Sequence, residues 1–217
     1  MKTAIVFLAD GFEECEGLLV VDLLRRAGVE VVTASIMGRK EITSSHGITL
    51  QADALAEDVD FDAADMIVLP GGLPGTNYLG ESEIVREQCV SFVDGGSAEK
   101  KNAASAVRYA ADIYGGAEQV HQGETEEEYA EAKYVAAICA APSVLADLGL
   151  LDGKRATCHT NFEDKMAGAV VTRQSVTVDG NIITGQGLGA GIPFALKLVE
   201  MLVDKETADG IAKAICC

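Results

Sequence analysis

Tryptophan is absent from this chain of 217 residues, and only 5% of the residues are aromatic. Hydrophobic residues nevertheless make up 48% of the sequence. The core must therefore consist mainly of Val, Ile, Leu and Ala, and a disordered chain is excluded. A chain of this length suits one α/β domain, with or without an appended element, and can bury a full core.

Basic residues are scarce: 17 Lys and Arg stand against 34 Asp and Glu, which gives a formal charge of −17. A field of that sign repels nucleic acid and anionic membrane surfaces, so we expect neither as a partner. The first apolar run, Ala4 to Ala9, is too short for a signal sequence or a membrane span. We therefore expect a cytoplasmic protein.

The six cysteines include no C-x-x-C pair, which argues against structural zinc. A chain this long and apolar needs no disulfide framework, so we expect reduced thiols. The turn after the first strand also lacks G-x-G-x-x-G, which argues against a nicotinamide or flavin cofactor. We expect no cofactor and no metal.

Buried strands alternate with amphipathic helices along the chain, which predicts an α/β fold with a parallel sheet. Residues 3–8 form an apolar run, residues 13–27 have a helical apolar pattern that ends at Gly28, and residues 29–34 form the next strand. This order is a βαβ unit. Further strands are predicted at 48–50, 65–69, 134–138, 155–158, 175–178 and 182–184, and further helices at 83–93, 142–148, 192–203 and 205–215.

The segment between Asp94 and Lys133 interrupts this alternation with two helical pieces, 97–114 and 118–131. The second piece carries six glutamates and no basic residue. We interpret residues 94–133 as a surface helical insertion, a hairpin or a lid, within a single domain that covers residues 1–217. Decoration or an oligomer contact is favoured over a catalytic role.

Three turns are expected to meet at the carboxyl ends of the parallel strands, where open α/β sheets bind ligands. They are residues 10–16, the sequence Pro70-Gly71-Gly72, and residues 137–142 around Cys139. The last is typical of a nucleophile elbow, because small residues flank a reactive side chain between a strand and a helix. A helix N-terminus there lowers a thiol pKa, and free amides bind an oxyanion. From this motif alone, a plain buried cysteine remains an equal alternative.

The chain also resembles a known family in five segments: A-D-G-F-E-E-C-E-G, M-I-V-L-P-G-G, V-A-A-I-C-A-A-P, T-C-H-T-N-F-E-D-K-M and T-G-Q-G-L-G-A-G-I-P-F-A-L. In this order they resemble the ThiJ/PfpI family, in the subgroup of the parkinsonism-associated protein deglycase and the bacterial ThiJ-like proteins. The similarity covers most of residues 3–79 and 133–203. It implies a flavodoxin-like, doubly wound α/β sandwich with a parallel central sheet, and commonly a homodimer.

The resemblance also implies roles for single residues. Cys139 matches the reactive cysteine, and Glu16 matches the acidic residue that hydrogen-bonds its sulfur; a protonated Glu16 would favour the thiolate and hold a sulfinate. Gly72 and Ala140 match the amides that face the sulfur. His159 matches a histidine that acts as a general base or binds substrate, with a structural role equally open.

The same comparison implies that the helix of Glu16 lies near a dimer interface. Arg26 matches an arginine at the dimer contact. His46 falls where some relatives carry an arginine that reaches across the dimer, so this substitution leaves the contact open. Cys15 is a possible second oxidisable thiol near the site.

Two differences between this chain and relatives of the family argue against proteolysis and against glutaminase activity. Ala140 occupies the position where the protease-like branch has a histidine, so proteolysis is not expected. Class I glutaminases need a late histidine followed two residues later by a carboxylate, and none of the three histidines, His46, His121 and His159, has that pattern.

Two functions remain open. The resemblance implies a glyoxalase or deglycase, a hydrolase or lyase that acts on methylglyoxal or glycated protein through a Cys139 thiolate tuned by Glu16. The alternative is a non-catalytic redox sensor or chaperone oxidised at Cys139. Relatives also carry a thiazole monophosphate biosynthesis label, which no phosphate loop or basic pocket in this chain supports.

Overall fold

The computed structural model describes residues 1–95 and 133–217. The two helical pieces predicted between 97 and 131 lie outside the described residues. The strands are β1 (Thr3–Leu8), β2 (Glu30–Ser35), β3 (Glu41–Thr43), β4 (Thr49–Gln51), β5 (Ala54–Leu55), β6 (Met66–Leu69), β7 (Tyr134–Ile138), β8 (Arg155–Ala156), β9 (Val170–Val171), β10 (Val176–Asp179) and β11 (Ile182–Gly185). The α-helices are α1 (Glu14–Arg26), α2 (Gly75–Glu81), α3 (Glu83–Gly95), α4 (Pro142–Asp147), α5 (Gly191–Leu202) and α6 (Lys205–Ala214).

Seven of the described strands form one sheet in the order β10-β11-β7-β6-β1-β2-β5. Every neighbouring pair is parallel except β10 and β11, which form an antiparallel hairpin at one edge. Two small sheets, β3 with β4 and β8 with β9, lie outside it. The predicted α/β fold with a mainly parallel central sheet is confirmed.

Helices cover both faces of the sheet, as the alternation along β1 illustrates. Ala4, Val6 and Leu8 pack into the core under α1, α5 and α6, whereas Ile5 and Phe7 pack into the core under α2, α3 and α4. Successive side chains of a strand point to opposite faces, so a strand buried on both faces is apolar throughout. No helix in the described ranges is long and apolar enough to cross a membrane.

The strand predicted at 155–158 is shorter than expected. β8 ends at Ala156, since the amide of Thr157 donates to the Thr184 hydroxyl at 2.9 Å rather than to a backbone carbonyl. The chain then leaves the strand direction, and His159 is carried toward the end of β7, where its amide donates to the carbonyl of Cys139 at 2.8 Å.

Hydrogen bonds at the amino end of β7 fix the positions of the chain segments that precede and follow residues 96–132. The Asn181 amide nitrogen donates to the carbonyls of Phe92 and Lys133, both at 3.0 Å. The Lys133 ammonium donates to three carbonyls within residues 61–64. Cys139 follows the opposite end of β7, roughly 16 Å away at ~3.3 Å per residue.

Candidate active site

Cys139 lies directly after the buried strand β7 and adopts a positive φ of 65°. This left-handed conformation is unfavourable for a residue with a Cβ, by roughly 1–3 kcal/mol, and persists only where the surroundings enforce it. Two backbone hydrogen bonds do so: the Cys139 amide donates to Gly185 at 2.9 Å, and its carbonyl accepts from His159 at 2.8 Å. The sulfur is thereby held at the carboxyl end of the sheet, at a sharp turn between a strand and a helix.

Glu16 lies in the first turn of α1 and is 1% exposed. The Glu13 side chain caps this helix, because its carboxylate accepts from the Glu16 amide at 2.7 Å. Glu16 Oε2 accepts from the amide of Gly71 at 3.1 Å. Its other oxygen, Oε1, is buried and has no hydrogen-bond partner among the described residues. One carboxyl oxygen is therefore held by the Pro70-Gly71-Gly72 turn, and the other is buried without a partner in the described part of the chain.

Gly71 separates Glu16 from Cys139. A Cβ built on Gly71 would lie 2.5 Å from Glu16 Oε2, 2.6 Å from Cys139 Cβ and 3.1 Å from Cys139 Sγ. Real Cβ atoms do not approach other atoms as closely as the two shorter of these distances. The carboxyl and the thiol thus converge on a space that only glycine leaves open. The sequence pattern singled out Gly72 and not Gly71, although both belong to the predicted Pro-Gly-Gly turn.

Replacing Gly71 with Ala is expected to reduce thiol-dependent activity at least a hundredfold, because the added methyl group forces Cys139 and Glu16 apart and displacements of ~1 Å have effects of this size. The matched control is Gly80→Ala, whose Cβ meets only a Val144 methyl group at 3.6 Å. Reaction rates and thermal unfolding of both variants measure the difference. A Gly71→Ala protein within threefold of the wild-type rate would show that the convergence is not needed.

The thiol and the carboxyl perturb each other's ionisation. Burial raises the pKa of Cys139 to about 12, together with the charge of Glu16 and their mutual hydrogen bond, while the amides of Ala140 and Gly72 lower it. Burial also raises the pKa of Glu16 to about 7, against the hydrogen bonds from Cys139 and Gly71. Near neutral pH, Glu16 is therefore protonated in a large fraction of the molecules.

The sequence pattern predicted that the helix end lowers the pKa of Cys139. While Glu16 is ionised, the pKa of this thiol is raised instead. α4 has only 6 residues, and the helix-end effect acts only within the first turn. A proton on Glu16 removes the charge that raises the Cys139 pKa and lets the carboxyl donate to sulfur. The thiolate is thus favoured only in combination with a protonated Glu16.

His159 is half-buried beside the thiol. A Cβ on Gly187 would lie 3.5 Å from His159 Cδ2 and 3.9 Å from Cys139 Sγ, so the ring and the sulfur flank this glycine. His159 Nδ1 accepts from the Asn161 amide at 3.2 Å. This hydrogen bond assigns the proton of the neutral ring to Nε2. Gly187 was missed as a site residue, although it lies in the predicted T-G-Q-G-L-G block.

The remaining predicted residues lie outside the thiol's immediate surroundings. Glu14 Oε1 pairs with His46 Nδ1 at 2.9 Å, and Arg26 pairs with Asp22 of its own helix at 2.8 Å. Cys15 is exposed on α1. The roles expected for Arg26 and His46 at a dimer contact stay predictions.

Glu13, Glu14 and His46 place possible metal-ligand atoms within 4.8 Å of one another. Glu13 already caps α1, and Glu14 already pairs with His46. These interactions engage Glu13 Oε2, Glu14 Oε1 and His46 Nδ1 with protein partners.

The site thus consists of a cysteine on a strained turn at the end of a parallel sheet, beside a buried carboxyl and two amides, in an α/β protein. A family model described as the DJ-1/PfpI family matches residues 2–99 and 117–201. This chain belongs to the DJ-1/PfpI family, and the resemblance noted in the sequence is confirmed.

Several relatives match over nearly their whole length. Protein dj-1beta of Drosophila melanogaster is 33% identical over 216 residues, which cover 99% of this chain and 96% of the relative. Glutathione-independent glyoxalase DJR-1.2 of Caenorhabditis elegans is 27% identical over 218 residues, with 99% and 96% covered. The crystal structure of Drosophila melanogaster DJ-1beta has a TM-score of 0.78 at 32% identity and covers 99% of this chain and 97% of its own. The structure of oxidized Toxoplasma gondii DJ-1 has a TM-score of 0.79 at 30% identity, with 100% and 98% covered.

Proposed function

We propose that this protein is a glyoxalase-type enzyme that converts methylglyoxal to lactate through Cys139, without glutathione, and releases glycated adducts by the same chemistry. The observation that carries the proposal is the convergence of a thiol, a buried carboxyl with a pKa of about 7, and the amides of Gly72 and Ala140. The relative named as a glutathione-independent glyoxalase supports it.

The first step forms a carbon–sulfur bond. The Cys139 thiolate attacks the aldehyde carbon of methylglyoxal, and the carbonyl electron pair moves to oxygen, where the Gly72 and Ala140 amides stabilise the charge. The proton of Glu16 then neutralises that oxygen. The product is a hemithioacetal, and Glu16 is left as a carboxylate.

The second step is an internal oxidation–reduction. A base, the Glu16 carboxylate or His159, removes the proton from the former aldehyde carbon, and the electrons move toward the neighbouring ketone. A proton returned to the ketone carbon, together with transfer of the hydroxyl proton to the former ketone oxygen, gives a lactoyl thioester. The aldehyde carbon is oxidised and the ketone carbon is reduced, so the step needs no external oxidant or reductant. Water then cleaves the carbon–sulfur bond and releases lactate and the thiol.

The test is whether purified protein forms lactate from methylglyoxal in buffer without added thiol. We expect one lactate per methylglyoxal consumed. Lactate formation can be followed with lactate dehydrogenase, and methylglyoxal loss by derivatisation. Loss of methylglyoxal without lactate would instead indicate simple adduct formation and would contradict the proposal.

Oxidation of Cys139 is a second candidate function, favoured by the buried Glu16 carboxyl beside the sulfur. A protonated Glu16 can donate to a sulfinate on Cys139, which holds the oxidation at that stage. A solved structure of a relative, Toxoplasma gondii DJ-1, is described as oxidized. In this function the protein is a redox sensor or chaperone and not an enzyme.

Mild peroxide is expected to convert Cys139 to sulfinate before it oxidises Cys216, although Cys216 is exposed and Cys139 is only partly so. The reason is that Glu16 stabilises both the thiolate and its oxidised product. Mass spectrometry of peptides after graded peroxide treatment measures the order. Equal oxidation of the two residues would eliminate the sensor function and leave the enzymatic one untouched.

We also propose a homodimer through the exposed face of α1. Residues 18, 22 and 26 lie four apart and therefore share one face, and all three are exposed. On it Leu18 is 41% exposed, and Ile48, two residues beyond His46, is 51% exposed. Light scattering is expected to give twice the chain mass, and Leu18→Lys should lower it toward one chain; a monomeric wild type would contradict the proposal. A cytoplasmic location stays a prediction.

A further inference from the structure

A cavity of about 250 Å³ lies between the edge strand β10 and the helices α5 and α6. It is two strands away from β7, and neither Cys139, Glu16 nor His159 lines it. Apolar walls come from β10 and from both helices, with Val176, Val178, Leu196 and Ala208 among the lining residues. It is therefore a site separate from the thiol, and the proposed chemistry does not use it.

The cavity wall contains a buried ion pair. Lys197 and Glu200 of α5 meet at 2.6 Å, with their side chains only 10% and 12% exposed. Lys205 and Asp209 of α6 form a second, more exposed pair at 2.8 Å. Buried charges are usually paired, so these two pairs are close to neutral and provide polar contacts without a net field.

Arg155, at the start of β8, is the fifth charged residue that lines the cavity. Its backbone amide bonds to Asp179, whereas its guanidinium has no hydrogen bond or ion pair with any residue in the described ranges. The lining thus has 3 cations, Arg155, Lys197 and Lys205, and 2 anions, Glu200 and Asp209. The whole chain, in contrast, has 34 acidic and 17 basic residues. Arg155 thus gives the lining one cation in excess, and an anion inside the cavity can pair with it.

We propose that this cavity binds a small organic monocarboxylate with an apolar body. The carboxylate accepts from the guanidinium of Arg155, whose planar donors match a carboxylate in bidentate fashion. The hydrocarbon part lies against β10, α5 and α6. A cavity of ~150 Å³ holds benzene. By proportion, this one accommodates roughly ten non-hydrogen atoms, which corresponds to a medium-chain fatty acid or an aryl-propionate.

Octanoate is the probe for this site, because it combines a carboxylate with a saturated chain of suitable length. Titration into ¹⁵N-labelled full-length protein is expected to shift the amides of Val176, Leu196 and Ala208 saturably and to leave Cys139 and Gly72 unmoved. Octylamine, which has the same chain and the opposite charge, is expected to produce no saturable shift. Shifts confined to the Cys139 site, or equal affinity for the amine, would overturn the proposal.

Two pairs of variants test separately the charge of Arg155 and the space inside the cavity. Arg155→Gln is expected to weaken octanoate binding at least fivefold, whereas Lys213→Gln, on α6 outside the lining, leaves it unchanged. Ala212→Phe adds a ring to the cavity lining and is expected to abolish binding, whereas Ala214→Phe, exposed on the same helix, retains it. Equal binding by the two phenylalanine variants would sink the proposal. Lactate formation is measured in parallel and is expected to be the same in all four variants, so failure here does not affect the proposed enzyme function.

Discussion

Replacing Cys139 with Ser is expected to lower kcat/KM for lactate formation at least ~10³-fold while the protein stays folded. The hydroxyl has nearly the size of the thiol, so the strained turn and its two backbone hydrogen bonds are retained. A serine hydroxyl is a far weaker acid than a thiol. Glu16, with a pKa of about 7, carries a proton in much of the protein near neutral pH, so a hydroxyl nucleophile, which needs a base at the moment of attack, is poorly activated there.

The matched control is Cys15→Ser, which removes an exposed thiol one residue before Glu16. Burial and three neighbouring glutamates raise the pKa of Cys15, so it forms little thiolate at neutral pH. We expect the wild-type rate from this variant. Circular dichroism and thermal unfolding confirm that both proteins are folded. Wild-type lactate production by Cys139→Ser would eliminate the glyoxalase proposal.

The nature of the nucleophile also limits the substrates. A thiolate reacts readily with soft electrophiles such as the aldehyde of a dicarbonyl, whereas cleavage of a peptide bond requires an acid that protonates the leaving nitrogen. Ala140 takes the position next to the sulfur where such an acid would stand. We therefore expect no proteolysis, in line with the absence of the histidine that the protease-like branch uses.

The strands that the sequence pattern predicted best are those buried on both faces. The bounds of β1 and β7 agree with the predicted 3–8 and 134–138 to the residue, since a continuous apolar run must end where a polar or turn residue follows. The hairpin at Asp179-Gly180-Asn181 is also confirmed. α2 was missed because its sequence, GTNYLGE, places a single large apolar residue, Leu79, in the core.

The sequence predicted where the site lies in the fold, but it predicted only part of the chemistry of the site. Strand ends of a parallel sheet meet at one edge, so the three turns were expected there. What no pattern reveals is that Gly71 lies between Cys139 and Glu16, or that one Glu16 oxygen lacks a partner. The sequence predicted a lowered pKa for the Cys139 thiol, and this prediction is wrong while the Glu16 carboxyl is ionised. Burial and a neighbouring charge outweigh the dipole of a helix with 6 residues, and burial depends on tertiary packing.

Replacing Glu16 with Gln is expected to reduce kcat by ~10²- to 10³-fold, the usual contribution of a general acid–base group. The amide oxygen of Gln can still accept from Gly71, so the geometry of the turn is preserved. The pH dependence of Cys139 alkylation shows whether the activity is lost because the proton of Glu16 is missing. In the wild type the reactive pair carries one proton, so alkylation of Cys139 should increase as the pH rises through about 7, where Glu16 titrates. In Glu16→Gln the thiol titrates alone, and the increase should move above the value of about 8.5 for a free cysteine.

The same substitution is expected to remove a pH dependence from the stability of the protein. The pKa of Glu16 rises from its ordinary value of 4.5 to about 7 in the folded protein, so between these values the folded state holds a proton that the unfolded state releases. The resulting stability is complete below pH ~4.5 and is lost as the pH rises to ~7, in total on the order of 3 kcal/mol. Gln does not titrate. The free energy of unfolding of Glu16→Gln relative to wild type should therefore be higher at pH 8 than at pH 5, by denaturant titration at each pH. Equal differences at both values would mean that Glu16 is ionised throughout, and a thiolate supported by its proton would then be ruled out.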